Sequence, residues 1–202
     1  MVVRLLASLF CTLLLAPGLG AQLRSDWTQA EIECAGSIDI PLNSYIGTAG
    51  KRYLRQLVWF SDAVIVGSAT EIEPDLDGPY PKIVTFRVTH VFKGHPLPDA
   101  VTVKLYSGPF YEPATGRILI RQMEDEPNLD LNYKTVLFLT RGYAGMEPTS
   151  ELALGTDEFT LLESLVYSES NLISKDRTAF DQDAVIRDIE FVVQKQSSDC
   201  AN

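Results

Sequence analysis

Between residues 63 and 139 the chain repeats one arrangement: short runs rich in Val, Ile, Leu, Phe and Thr, separated by turn chemistry. Nothing else in the sequence narrows the possible folds as much. β-Branched and aromatic residues in short runs suit strands, and the breaks between them are too frequent for long helices. The first run, 63–72, opens with Ala63, Val64, Ile65 and Val66, which predicts a strand buried on both faces at its start. Gly67-Ser68 within it offers a place for the strand to bend. A loop at 74–81 follows, with Asp77-Gly78-Pro79 as turn residues. In the second run, 83–92, Val84, Phe86, Val88 and His90 share one face while Thr85, Arg87 and Thr89 share the other. That alternation marks a half-buried strand, and Lys93-Gly94 ends it.

The third strand is expected at 101–106, the fourth at 117–121 and the fifth at 135–139. Five strands with turn-rich links and no internal repeat predict a mainly β fold, a five-stranded OB-like closed barrel that removes its own edges. The pattern allows a further strand at 158–162. A short helix should precede the barrel at 51–60, where Tyr53, Leu54, Leu57, Val58 and Phe60 fall near one face. A C-terminal helix is expected at 179–195. There Val185, Ile189, Val192 and Val193 recur at helical spacing and should dock on the barrel. The organisation is therefore a leader at 1–21, an irregular N-terminal extension at 22–50, the barrel with its preceding helix at 51–165, and a C-terminal extension at 166–202.

The leader has the parts of a secretory signal peptide. Arg4 supplies the positive start, residues 5–15 form a mostly apolar run, and Pro17, Gly18 and Gly20 break the helix ahead of Ala21. About 20 apolar residues are needed to span a bilayer, so the run is too short for an anchor. The expected location is exported, periplasmic or secreted, with no stable membrane insertion after cleavage. Removal of the leader takes away Arg4 and makes the chain one charge more negative than its formal −10. An acidic surface repels phosphate backbones, which argues against nucleic acid as a partner. Beyond the leader only Cys34 and Cys200 remain. An oxidising compartment and an even count allow one disulfide between them, tying the N-terminal extension to the C-terminus; the alternative is two separate thiols.

Three segments carry a likeness to a known group. The run from Phe60 through Ser61-Asp62-Ala63-Val64-Ile65-Val66-Gly67 to Ala69, followed by Thr85-Phe86-Arg87-Val88-Thr89-His90-Val91-Phe92-Lys93-Gly94, resembles the first two strands of the netrin-like, or TIMP-like, OB-fold superfamily. Tyr133-Lys134-Thr135-Val136-Leu137-Phe138-Leu139 is similar to its fifth strand. The likeness covers about residues 34–142 and includes the secreted bacterial branch of that superfamily. It implies the barrel and, with the short leader, favours a bacterial host. Inhibitors of metalloproteinases in this group begin with a Cys whose amine and carbonyl grip the target's zinc, within a Cys-x-Cys start. Here Cys34 is followed by Ala35-Gly36, so the motif departs from the pattern, and inhibition would require a second cleavage exposing Cys34.

No constellation in the sequence points to catalysis, a metal or a cofactor. His90 and His95 are the only histidines, separated by a Gly94 turn and without the ligand spacing of a metal site. An exported hydrolase would have to use one of them as its base, yet Gly67-Ser68-Ala69-Thr70-Glu71 lacks the second Gly of a nucleophile elbow. Glu73-x-Asp75-x-Asp77-Gly78 imitates an EF-hand start, but the twelfth position is Val84 where a bidentate Glu is needed. Glu124, Asp125, Glu126 and Asp130 read as a solvated acidic loop.

One segment has interface character. Tyr106-Ser107-Gly108-Pro109-Phe110-Tyr111-Glu112-Pro113 concentrates aromatics and prolines in what should be the loop after the third strand. Aromatics are enriched at binding hot spots, and loops on rigid scaffolds carry function. Tyr106, Phe110 and Tyr111 are therefore the candidate binding residues of a non-catalytic module for a protein or envelope component.

Overall fold

The computed structural model describes residues 29–38, 51–94, 96–122, 129, 131–141, 157–174 and 177–200. The leader, the remainder of the N-terminal extension, His95 and the acidic run at 124–126 with Asp130 lie outside the described residues. The elements run α1 (Gln29–Ser37), α2 (Lys51–Phe60), β1 (Ala63–Pro74), β2 (Lys82–Lys93), β3 (Ala100–Leu105), β4 (Gly108–Glu112), β5 (Arg117–Arg121), β6 (Lys134–Thr140), β7 (Glu158–Ser168), β8 (Asn171–Ile173), β9 (Ala179–Asp181) and α3 (Gln182–Asp199).

Strands β3, β2, β1, β6 and β7 lie side by side in that order, and a parallel pairing of β3 with β7 closes the ring. This is the OB-like barrel expected from the sequence. Its first half-turn is antiparallel, β1 pairing with β2 from Val64↔Lys93 to Pro74↔Lys82. Register shifts between Val64/Ile65, Val66/Gly67 and Ala69/Glu71 bend β1 along its length, as bulges do. Gly67 sits at one of them, where a Cβ would meet the Arg87 carbonyl oxygen at 2.8 Å. The bend expected at this glycine thus has a close backbone approach behind it.

Alternation along β1 and β6 explains their unbroken apolar runs. Ala63, Ile65, Leu137 and Leu139 point into the barrel with Phe86, Val103 and Phe159. Val64, Val66, Val136 and Phe138 point outward, against Leu57, Trp59, Val185 and Ile189 of the helices. Helices α2 and α3 therefore cover one wall of the barrel, and the strands beneath them are buried on both faces. An Arg55–Asp188 ion pair at 3.3 Å links the two helices. Cys34 of α1 and Cys200, which follows α3, are joined by a disulfide with Cα atoms 5.8 Å apart.

The strand assignment differs from expectation at several points. The barrel's fourth strand is β6 and its fifth is β7, while residues 117–121 form β5 of a separate two-stranded sheet with β4. All but the last residue of β5 are exposed, whereas a barrel wall must bury one face. Alternation identifies a strand but cannot say which sheet it joins. The expected strand at 158–162 extends to Ser168, because Glu163 and Ser164 are polar yet buried within it. The C-terminal helix begins at Gln182 rather than 179, since residues 179–181 pair with β8. Asp181 caps it, its carboxylate accepting from the Ala184 N–H at 2.8 Å. Part of the extension read as irregular is helical, α1, whose weak amphipathic pattern gives no period; buried Ala35 and the Cys34 bridge hold it in place.

Candidate functional site

Between the third and fourth barrel strands, residues 108–121 form a β-hairpin. Gly108 and Pro109 open β4, and a four-residue loop at 113–116 reverses the chain. The Glu112 carbonyl accepts from the N–H groups of Thr115 at 3.2 Å and Gly116 at 2.9 Å. Gly116 has φ +66°, the left-handed conformation glycine adopts without strain. Pairing then runs Gly108↔Arg121, Pro109↔Ile120, Phe110↔Leu119, Tyr111↔Ile118 and Glu112↔Arg117.

Opposed residues of a ladder share a face, so the hairpin has two distinct sides. Pro109, Tyr111, Ile118 and Ile120 form the outer one, with Tyr111 43%, Ile118 60% and Ile120 81% exposed. Phe110, Leu119 and Arg121 form the other, where the Arg121 guanidinium lies 4.8 Å from the Phe110 ring centroid. The hairpin is fastened to the loop between β1 and β2: the Tyr111 N–H donates to the Leu76 carbonyl at 2.9 Å. That loop is itself fixed by an Asp75 carboxylate accepting from the Gly78 N–H at 2.9 Å. The Asp75 carboxylate of the imitation EF-hand start thus serves a turn.

The three residues selected from the sequence do not lie together. Tyr106 is half-buried at the root of the hairpin, its ring 4.9 Å from that of buried Tyr80 at an interplanar angle of 57°. Phe110 faces Arg121, and only Tyr111 stands on the outer face. Ile118, Leu119 and Ile120 escape sequence reasoning, which assigns them to a barrel wall. The signal that could find them is the hairpin itself: two short apolar runs, Phe110-Tyr111 and Ile118-Leu119-Ile120, joined by a short loop ending in Gly.

Compared with family models and with curated proteins, the chain matches none.

Elsewhere, His90 is exposed on β2, its ring edge-on to Phe92 at 4.4 Å. The Cys34 carbonyl accepts from the Ile38 N–H at 3.3 Å and the Ser37 hydroxyl at 2.7 Å, inside α1 and at its end. Tyr111, Ile118, Leu119 and Ile120 of the hairpin are four of the nine exposed large hydrophobic residues among the described residues. Soluble proteins seldom leave such groupings without a role in contact.

Proposed function

We propose that this chain is an exported, non-catalytic binding module that holds a protein or cell-envelope component through the β4–β5 hairpin. The observation that carries the reading is the outer face of that hairpin. Ile118 and Ile120 contribute little to the fold at their exposures, and burying an aliphatic side chain of this size in an interface is worth roughly 1.5–3 kcal/mol. The closed barrel supports the reading by giving the hairpin a rigid base, and the leader at 1–21 supports export. The acidic chain disfavours nucleic acid. The resemblance to the netrin-like/TIMP-like group is consistent with a scaffold reused for contact. Against protease inhibition, Cys34 lies within a helix with its carbonyl oxygen already accepting two hydrogen bonds.

The test is capture from a solubilised envelope extract by the immobilised mature protein. Tyr111→Ser, Ile118→Ser and Ile120→Ser together should lose the captured component while leaving the thermal midpoint and far-UV dichroism unchanged. Equal capture by this triple variant would remove the hairpin from the binding site.

A further inference from the structure

The backbone of the same hairpin narrows its partner to a chemical class, an inference that rests on the binding role proposed for it. In an antiparallel ladder the N–H and C=O of one residue point to the same side, and the residue opposite points the other way. The Tyr111 N–H is directed at Leu76, away from β5. The Tyr111↔Ile118 pair is therefore one that exchanges no hydrogen bonds, and so is Pro109↔Ile120 two residues along. Proline, which has no N–H, is compatible with only this phase. The N–H and C=O groups of Ile118 and Ile120 consequently point outward from β5, and among the described residues no strand pairs with that edge.

An open edge with exposed aliphatic side chains is a template for an added strand. Its charge says which strand. Arg117 and Arg121 flank Ile118-Leu119-Ile120 and share the face of Leu119, opposite the two isoleucines. Arg121 is held there over Phe110. Glu112, the hairpin's one carboxylate, is engaged by the Thr115 hydroxyl. Two arginines against that one carboxylate, which opposes Arg117 in the ladder, leave the hairpin with one net positive charge on a chain of net charge −10.

The geometry points to an extended polypeptide segment that adds to β5 as a further strand and carries the pattern acidic, apolar, any, apolar, acidic. Its carboxylates meet Arg117 and Arg121, its apolar pair covers Ile118 and Ile120, and its backbone takes the four outward groups of those isoleucines. A second copy of this chain fits poorly. In-register antiparallel self-pairing about Leu119 sets Arg117 opposite the other copy's Arg121 twice, and like charges directly opposed are destabilising.

Three end-blocked nonapeptides test this against the full mature, oxidised chain by titration. The first has a central glutamate–valine–threonine–valine–glutamate, the second replaces both glutamates by lysine, and the third keeps the glutamates but N-methylates both valines. The first should bind, with the other two at least ten-fold weaker. Arg117→Glu with Arg121→Glu should reverse the order of the first two. Ile120→Pro removes one outward N–H without touching the β4 ladder, and should weaken the first peptide at least ten-fold at an unchanged thermal midpoint. No binding of the first peptide at millimolar concentration, equal binding of the acidic and lysine peptides, or equal binding of the N-methylated one overturns the proposal. Self-association of the wild type that Ile120→Pro abolishes also overturns it, in favour of a second copy. In each of those cases the wider binding role of the hairpin stands or falls separately, on whether the triple serine variant still loses envelope capture.

Discussion

The last carbonyls of a helix have no partners within it, and in α2 two of them accept from a single cation. The Lys93 ammonium donates to the Val58 carbonyl at 2.8 Å and the Trp59 carbonyl at 2.9 Å. Lys93 ends β2, and Phe92 beside it packs against the helical side of the core. Gly94 follows at φ +118°, with Ala63 close against it. The Phe92-Lys93-Gly94 triplet therefore closes a strand, caps a helix and turns the chain in three consecutive positions. Lys93→Met keeps the apolar stem and removes the cap. Hydrogen bonds to a charged group are worth about 1.5–3 kcal/mol, so a loss of about 2 kcal/mol is expected in denaturant unfolding. A change below about 0.5 kcal/mol would show that water replaces the ammonium without cost. The sequence makes this triplet visible as a strand end, but the helix it caps lies more than 30 residues earlier, beyond any local pattern.

At the level of elements, periodicity locates most strands and cannot assign them to sheets. The β1 run is legible as doubly buried because four consecutive apolar residues face alternately into the barrel and toward the helices. β5 reads similarly, yet it faces solvent; the difference lies in the neighbours of Ile118 and Ile120, which a linear pattern does not contain. β4 reads as a loop because Gly108 and Pro109 punctuate it. The binding candidates are accordingly half legible: the aromatic half of the hairpin stands out, and the aliphatic half is credited to the core. The contrast is measurable. Ile118→Thr with Ile120→Thr should change stability by no more than about 0.5 kcal/mol, as surface substitutions usually do. Ile189→Ala in α3, whose side chain is fully buried, should cost about 2–5 kcal/mol. Thermal or chemical unfolding of the two variants side by side would decide it, and a costly Ile118/Ile120 pair would mean that the outer face is packed.

For the whole molecule, the decisive arrangement is one barrel wall shared by two cores, with the helices drawn together by a bond between residues 166 positions apart. That pairing is open in the sequence, where the two cysteines beyond the leader allow it but cannot bring themselves together. Constraining so long a loop in the unfolded chain is worth about 5 kcal/mol in the chain-entropy account, and native disulfides deliver about 2–5 kcal/mol when removed. Cys34→Ser with Cys200→Ser should lower the unfolding free energy by that amount. The barrel's strand content should be retained, since neither cysteine belongs to a strand. Loss of the native far-UV spectrum at 25 °C would show instead that the barrel depends on the staple.

The same bond has a mechanical consequence. Tension applied to the segments flanking Cys34 and Cys200 passes from one sulfur to the other, and the chain between them carries none of it. While oxidised, the domain behaves as a knot of fixed length in a line under load, with the hairpin undistorted; once the bond is reduced, the same pull would reach the barrel.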